Sequence, residues 1–215
     1  MNIFTQKRFA LLFLTAAVGA VLWLGCGDGG NPGGGGTLSC GNRECKSEEM
    51  PDGKIWMTEN LNRTTKDSWC YENRAANCDK YGRLYTWSAA KSACQLVGMR
   101  LPTSQEWDAL VTAAGGWETA GSKLKSKSGW NWNDYEDNAS GNGTDDFQFS
   151  ALPGGYRDSD GGFNGAGYGG RWWAATEVNS EDYVWEMLYR DTYVGGWNKY
   201  YNLESFGFSV RCVID

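Results

Sequence analysis

The chain has 215 residues, with 20 Lys+Arg against 26 Asp+Glu, no histidine, 12 Trp, 30 Gly and 7 Cys. That length allows one domain with a substantial core, and the lack of histidine excludes His-based triads, HExxH zinc proteases and Cys/His zinc fingers. A net charge of −6 argues against a nucleic-acid partner, which calls for a basic face, and 14% aromatic with only 21% charged residues is not a disordered composition.

Residues 1–25 read as an export signal. Lys7 and Arg8 precede an unbroken apolar or small run over 9–24, about the length of a signal-peptide hydrophobic region. The run closes on Leu22-Trp23-Leu24-Gly25-Cys26, which resembles the bacterial lipobox and implies cleavage before Cys26 with lipid attached to its sulfur. Residues 26–39 follow as a lipidated tether. Residues 27–36 are glycine apart from Asp28, Asn31 and Pro32, a flexible coil that cannot pack. Gly27, where Asp would retain such a lipoprotein at the inner membrane, implies delivery to the outer membrane. The expected address is the cell envelope, with the membrane as first partner.

Residues 40–215 form the folded domain. Apart from Cys26, the cysteines are Cys40, Cys45, Cys70, Cys78, Cys94 and Cys212. An exported chain meets an oxidising compartment, so three disulfides are expected among about 15 formal connectivities. Spacing favours Cys40–Cys45 and Cys70–Cys78, which leaves Cys94–Cys212. No CxxC occurs, so thiolate metal binding is disfavoured.

Residues 54–58 alternate and predict a first strand. A helix is expected over 83–97, where Leu84, Trp87, Ala90, Cys94 and Val97 recur at helical spacing and Gly98 can supply the stop. Thr103-Ser104-Gln105-Glu106 is a capping box, followed by the apolar stripe Trp107, Leu110, Val111 and Ala114 and a Gly115-Gly116 stop. From Gly121 onward short strands separated by glycine are expected. Residues 183–190 alternate, Gly195-Gly196 marks a turn, and Phe206, Phe208, Val210, Cys212 and Ile214 share a buried face. Cys94 on a helical apolar stripe and an inward Cys212 give their pairing a packing rationale. The fold class is α+β, with two helices on a loop-rich antiparallel sheet.

Several ordered motifs stand out: Lys80-Tyr81-Gly82-Arg83-Leu84-Tyr85-Thr86-Trp87, Arg100-Leu101-Pro102-Thr103 with Glu106-Trp107, Phe149 to Arg157, Trp172 to Glu177, and Phe208 to Val213. Together they resemble the Fibrobacter succinogenes major paralogous domain, a family of exported, often lipid-anchored bacterial proteins. The Leu-Pro-Thr…Glu-Trp block and the closing strand are also similar to the formylglycine-generating enzyme group. Both resemblances imply a C-type-lectin-like fold in which a disulfide ties the first helix to the last strand. Formylglycine-generating relatives use two neighbouring cysteines near the chain end. Cys212 stands alone there, so no catalytic residue is assigned and the chain is read as a non-enzyme.

Recognition is expected on loops. Flat rings beside amides and carboxylates suit sugars, the ring stacking on C–H faces while polar groups bond the hydroxyls. The candidates are Glu177, Asn179, Trp197, Asn198, Tyr200, Tyr201 and Asn202. Trp172, Trp173 and Trp185 are read as core. Asp134, Glu136, Asp137, Asn138, Asp145 and Asp146 crowd one stretch without a basic residue. The stretch is read as a solvated acidic loop, with Ca²⁺, which such hard oxygen ligands suit, as the alternative and the one candidate cofactor. The expected partner is a polysaccharide, with a surface protein bound in adhesion as the alternative and a carboxylate-dependent enzyme as the third reading.

Overall fold

The computed structural model describes residues 40, 44–133, 139–175, 184–197 and 203–215. The signal and tether lie outside them. Among the described residues no helix is long and apolar enough to cross a membrane. All three expected disulfides are present: Cys40–Cys45, Cys70–Cys78 and Cys94–Cys212.

Strand β1 (Ser47–Glu49) turns back into β2 (Ile55–Met57), the strand expected over 54–58. The turn closes with the Met50 N–H on the Lys54 carbonyl at 2.8 Å, and Gly53 takes φ +79°. β2 sits in the middle of its small sheet, so Trp56 and Met57 are both buried although they point to opposite faces. Strand β3 (Ser68–Trp69) is followed by helix α1 (Ala75–Tyr81), which the sequence reading did not anticipate. This single short helix has no side-chain cap, and the Cys70–Cys78 disulfide fastens it.

Helix α2 covers Trp87–Gln95, not 83–97. Leu84 and Tyr85 form strand β4 (Leu84–Tyr85) against β3, and Thr86 begins the helix by accepting a hydrogen bond from the Ala89 N–H at 3.4 Å. Leu84 matched the helical spacing, yet sheet pairing claims it. Beyond the helix Gly98 takes φ +76° and the Met99 N–H returns to the Cys94 carbonyl at 3.0 Å, the expected left-handed stop.

Helix α3 (Ser104–Ala113) forms as its capping box predicts. Thr103 Oγ1 accepts from the Glu106 N–H at 3.2 Å, and Glu106 Oε2 accepts from the Thr103 N–H at 2.9 Å. The Arg100 guanidinium also forks onto both Glu106 oxygens at 2.7 and 2.6 Å. That fork, joined by the cap, holds the Glu106 carboxyl down at about 2. Trp107, Leu110, Val111 and Ala114 are all buried. Short helix α4 (Ala120–Leu124) and the hairpin of β5 (Trp132–Asn133) and β6 (Ala139–Ser140) follow.

The main sheet uses β7 (Gly154–Arg157), β8 (Phe163–Ala166), β9 (Gly169–Trp173), β10 (Val184–Leu188) and β11 (Val194–Trp197) in the order β11-β10-β9-β7-β8. Its pairs are antiparallel except β7 with β9. Gly195 and Gly196 lie inside β11 rather than at a turn. Any side chain on Gly195 would collide with the Tyr193 ring, which folds across it. The chain ends in β12 (Val213–Ile214) beside β2.

Period-two alternation in β9 sends its adjacent tryptophans to different cores. Trp173 joins Tyr85, Phe208, the alanines of α2 and the Cys94–Cys212 pair. Trp172 joins Trp56, Trp107, Phe149 and Trp185 around α3. Trp172, Trp173 and Trp185 are core, as expected. The closing segment departs from expectation. Phe208, Val210 and Cys212 are buried, but so are Ser209, Arg211 and Val213 on the other face. The segment runs as a covered middle layer, bridging to Tyr85, Trp172 and Arg100. The architecture is α+β, with antiparallel-rich sheets.

Candidate functional site

Depressions on the described surface include a larger and a smaller one. The larger is a cleft of about 830 Å³ between β1, the end of α1 and residues 145–152. Cys45 and Cys78 line it, so each of the two short-range disulfides stands in its wall. Its surface is polar, with Asn62, Gln148 and Ser150 among carboxylates, and Glu48, Glu59, Asp79 and Asp145 outnumber Lys46 and Lys80.

Beneath the cleft lies a network that gives it a fixed floor. Asn60 donates to the Tyr81 carbonyl at 2.8 Å and to Ser209 Oγ at 3.3 Å. Its Oδ1 accepts from Trp172 Nε1 at 2.9 Å and Arg211 Nε at 2.8 Å. Arg211 is fully buried. It donates to the carbonyls of Met57 and Phe149 from Nη1 and to the Ser150 carbonyl from Nη2 at 2.7 Å, and it lies 4.6 Å from the Phe149 ring centroid. Burial pushes its guanidinium down to about 9, opposed by the charges of Glu59 and Asp145 in the cleft. Both side chains are committed to the fold, which leaves the cleft's amides, hydroxyls and carboxylates to face solvent.

The smaller depression, about 250 Å³, lies between α4, the β5–β6 hairpin and the turn after β10. Lys125 is buried in its wall, donating to the Asp191 carbonyl at 2.6 Å and the Gly141 carbonyl at 3.4 Å, with its ammonium 4.8 Å from the Trp130 ring centroid. Burial pushes this amine down to about 8, opposed by the Asp191 charge. Two glycines allow the walls to meet. A Cβ on Gly121 would stand 2.5 Å from the Thr192 carbonyl oxygen, and one on Gly141 would stand 2.7 Å from the Tyr189 carbonyl oxygen.

Two edge-to-face ring pairs carry exposed rings. Tyr189, which lines the smaller depression, meets Tyr168 edge to face at 5.2 Å. Tyr193, next to the lining residue Thr192, meets Trp117 edge to face at 5.4 Å. Trp117 is 59% exposed, Tyr168 50% and Tyr193 44%.

Of the sequence-predicted site residues, Glu177, Asn179, Asn198, Tyr200, Tyr201 and Asn202 lie outside the described residues, as do Asp134, Glu136, Asp137 and Asn138. Trp197 ends β11, where only its backbone is described. Asp145 reaches the larger cleft, but Oδ1 accepts from the Ser150 N–H and Oδ2 from the Ser150 hydroxyl, both at 2.6 Å. Asp146 is exposed. Among the described residues no three acidic or cysteine side chains gather as a metal-holding group. Sequence reasoning missed both depressions.

The family model of the Fibrobacter succinogenes major domain matches residues 51–214. Comparisons with curated proteins and with solved structures each return no match.

Proposed function

The chain belongs to the Fibrobacter succinogenes major domain family, and from that premise we propose a non-catalytic, lipid-anchored cell-envelope protein whose C-type-lectin-like domain binds carbohydrate. The observation that carries this reading is the open polar cleft with a disulfide in each of two walls. A cleft stiffened in this way loses little conformational entropy on binding, and its amides, hydroxyls and carboxylates complement sugar hydroxyls. The tie between α2 and the closing segment through Cys94–Cys212 supports the lectin-like reading of the fold. Cys26 as lipid site, the glycine-rich tether and Gly27 support anchoring at the outer membrane. Glu177, Asn179, Trp197, Asn198, Tyr200, Tyr201 and Asn202 supply further loop contacts in this proposal, and Ca²⁺ at the acidic stretch around Asp134 is its optional ion.

A glycan array probed with the exported protein, with and without EDTA, tests the reading. Retention of at least one polysaccharide is expected, weakened by Asn62→Ala with Gln148→Ala in the cleft and by Tyr200→Ala in the loop. Binding should persist in EDTA, because Ser150 already holds both oxygens of Asp145. Loss in EDTA would bring calcium into recognition. Retention of no glycan, with protein partners captured through the same residues, would replace this reading with adhesion.

A further inference from the structure

We infer that Cys70–Cys78 is a redox switch in the cleft wall: a dithiol reductant opens it, Arg83 stabilises the thiolate that leaves, and the segment carrying α1 is released. Its effect on ligand binding rests on the carbohydrate reading above, while the switch itself rests on the residues around the sulfurs. Arg83 Nη1 lies 3.5 Å from Cys70 Sγ and 3.4 Å from Cys78 Sγ. The rest of the guanidinium is held independently of them, Nε donating to Ser68 Oγ at 3.0 Å and Nη2 to the Ser68 carbonyl at 2.9 Å. Ser68 belongs to β3 and pairs with Tyr85 in β4, so the cation keeps its place when the bond opens. A fixed positive charge beside a sulfur favours thiolate over thiol. That sulfur becomes a better leaving group, and the reduced pair is stabilised.

Access separates this bond from the tie in the α2 core. Cys70 is half-buried and Cys78 buried, whereas Cys94 and Cys212 are both fully buried. Attack thus comes at Cys70. A thiolate of the reductant bonds to Cys70 Sγ, the bond to Cys78 Sγ breaks, and its electron pair leaves on Cys78 beside Arg83. The reductant's second thiolate then displaces Cys70 and closes its own disulfide. Two electrons pass from the dithiol to the protein. One of its protons ends on Cys70, and the other goes to water while Arg83 holds Cys78 as thiolate.

The loop that the bond closes is not a relaxed one. Within it Glu72 takes φ +53° and Asn73 φ +57°, a left-handed pair that is costly for residues with a Cβ. Helix α1 starts without a side-chain cap, and its seven residues are too few to hold a helix alone. Cys78, Asp79 and Lys80 of that helix line the cleft, and Asn62 in the same lining donates to the Cys78 carbonyl at 3.2 Å. Opening the bond lets this loop relax and moves a wall of the cleft.

Thiol trapping of the full exported protein, equilibrated over a series of reduced-to-oxidised dithiothreitol ratios and read by peptide mass spectrometry, tests the switch. Cys70 and Cys78 should be trapped at a ratio at least about tenfold below that needed for Cys94 and Cys212. Arg83→Gln should raise the ratio for that pair alone by about tenfold, and Arg83→Lys, which keeps the charge, should fall between. Should Arg83→Gln not fold, the order of opening in the wild type decides. Hydrogen exchange should speed up over residues 71–81 when that pair is reduced, and in Cys70→Ser with Cys78→Ser, while α2 and α3 stay protected. Opening no earlier than Cys94–Cys212, an equal shift of all three disulfides in Arg83→Gln, or unchanged exchange over 71–81 would overturn the switch. Polysaccharide retention should fall on opening. Retention that persists would overturn the regulatory role and leave the carbohydrate reading standing, whereas no retention by the oxidised protein would overturn the carbohydrate reading alone.

Discussion

The core around α2 turns small side chains inward, Ala89, Ala90 and Ala93, and carries the Cys94–Cys212 tie; the core around α3 contains no cysteine and is filled by Trp56, Trp107, Trp172, Trp185 and Phe149. In the second, Trp107 alone meets Trp56 edge to face at 4.9 Å, Phe149 at 5.9 Å and Trp185 in a stack tilted by 14°. An aromatic side chain buries about 150–250 Å², many times what an alanine methyl offers. The helix that brings little area is thus the one linked covalently to the end of the chain. The helix that brings a tryptophan is held by packing and a good cap. Trp172 and Trp173 couple the two by facing one core each from adjacent positions in β9.

The sharpest way to break this contrast is to remove the tie. Replacing Cys94 and Cys212 by alanine opens a link across 118 residues, worth about 5 kcal/mol in the chain-entropy description. Urea denaturation should show a loss approaching that size, and a loss below about 1 kcal/mol would mean that the α2 core stands on packing alone. Trp107→Ala should cost about 3–5 kcal/mol by cavity formation. Because that core has no cysteine, the loss should be equal with the Cys94–Cys212 bond present or absent, again by urea titration.

A third effect arises at the edge of the α3 core, where Lys125 lies over Trp130. Its folded value of about 8 is below the ordinary 10.5. Below pH 8 the fold therefore carries the full cost of a buried ammonium. Between pH 8 and about 10 the unfolded chain holds more protons, so stability should rise with pH. The whole displacement corresponds to about 3 kcal/mol. Melting temperatures across that interval check it, and Lys125→Met should flatten the rise. The smallest effect belongs to the cap of α3. Thr103→Ala should cost about 1 kcal/mol, seen as a small drop in the urea midpoint with the tie intact.

The parts of the fold governed by neighbours in sequence were legible. The capping box of α3, its buried stripe and the left-handed stop at Gly98 follow from residues within one or two turns. The disulfides followed from cysteine spacing and from the inward faces of Cys94 and Cys212. What escaped depends on partners far along the chain. Leu84 fits the helical rhythm, yet it pairs with Trp69 as Tyr85 pairs with Ser68. Gly195 and Gly196 had turn chemistry, yet the Tyr193 ring fills the space a side chain would need. Arg211 alternates to what should be the wet face of a strand, and it is buried because Asn60 and three carbonyls meet it there. A ring contact joins Trp117 to Tyr193 across the sequence, a proximity that no local pattern contains.

Buried tryptophans hold the two cores, and in the proposed reading the polar cleft meets the ligand. Side-chain amide and indole N–H resonances of the ¹⁵N-labelled protein, titrated with a soluble polysaccharide, test this most directly. The signals of Asn62 and Gln148, which line the cleft, should move while those of Trp56, Trp107 and Trp173 stay in place. Cleft signals that stay fixed under saturating polysaccharide, or core indoles that move in their stead, would contradict it.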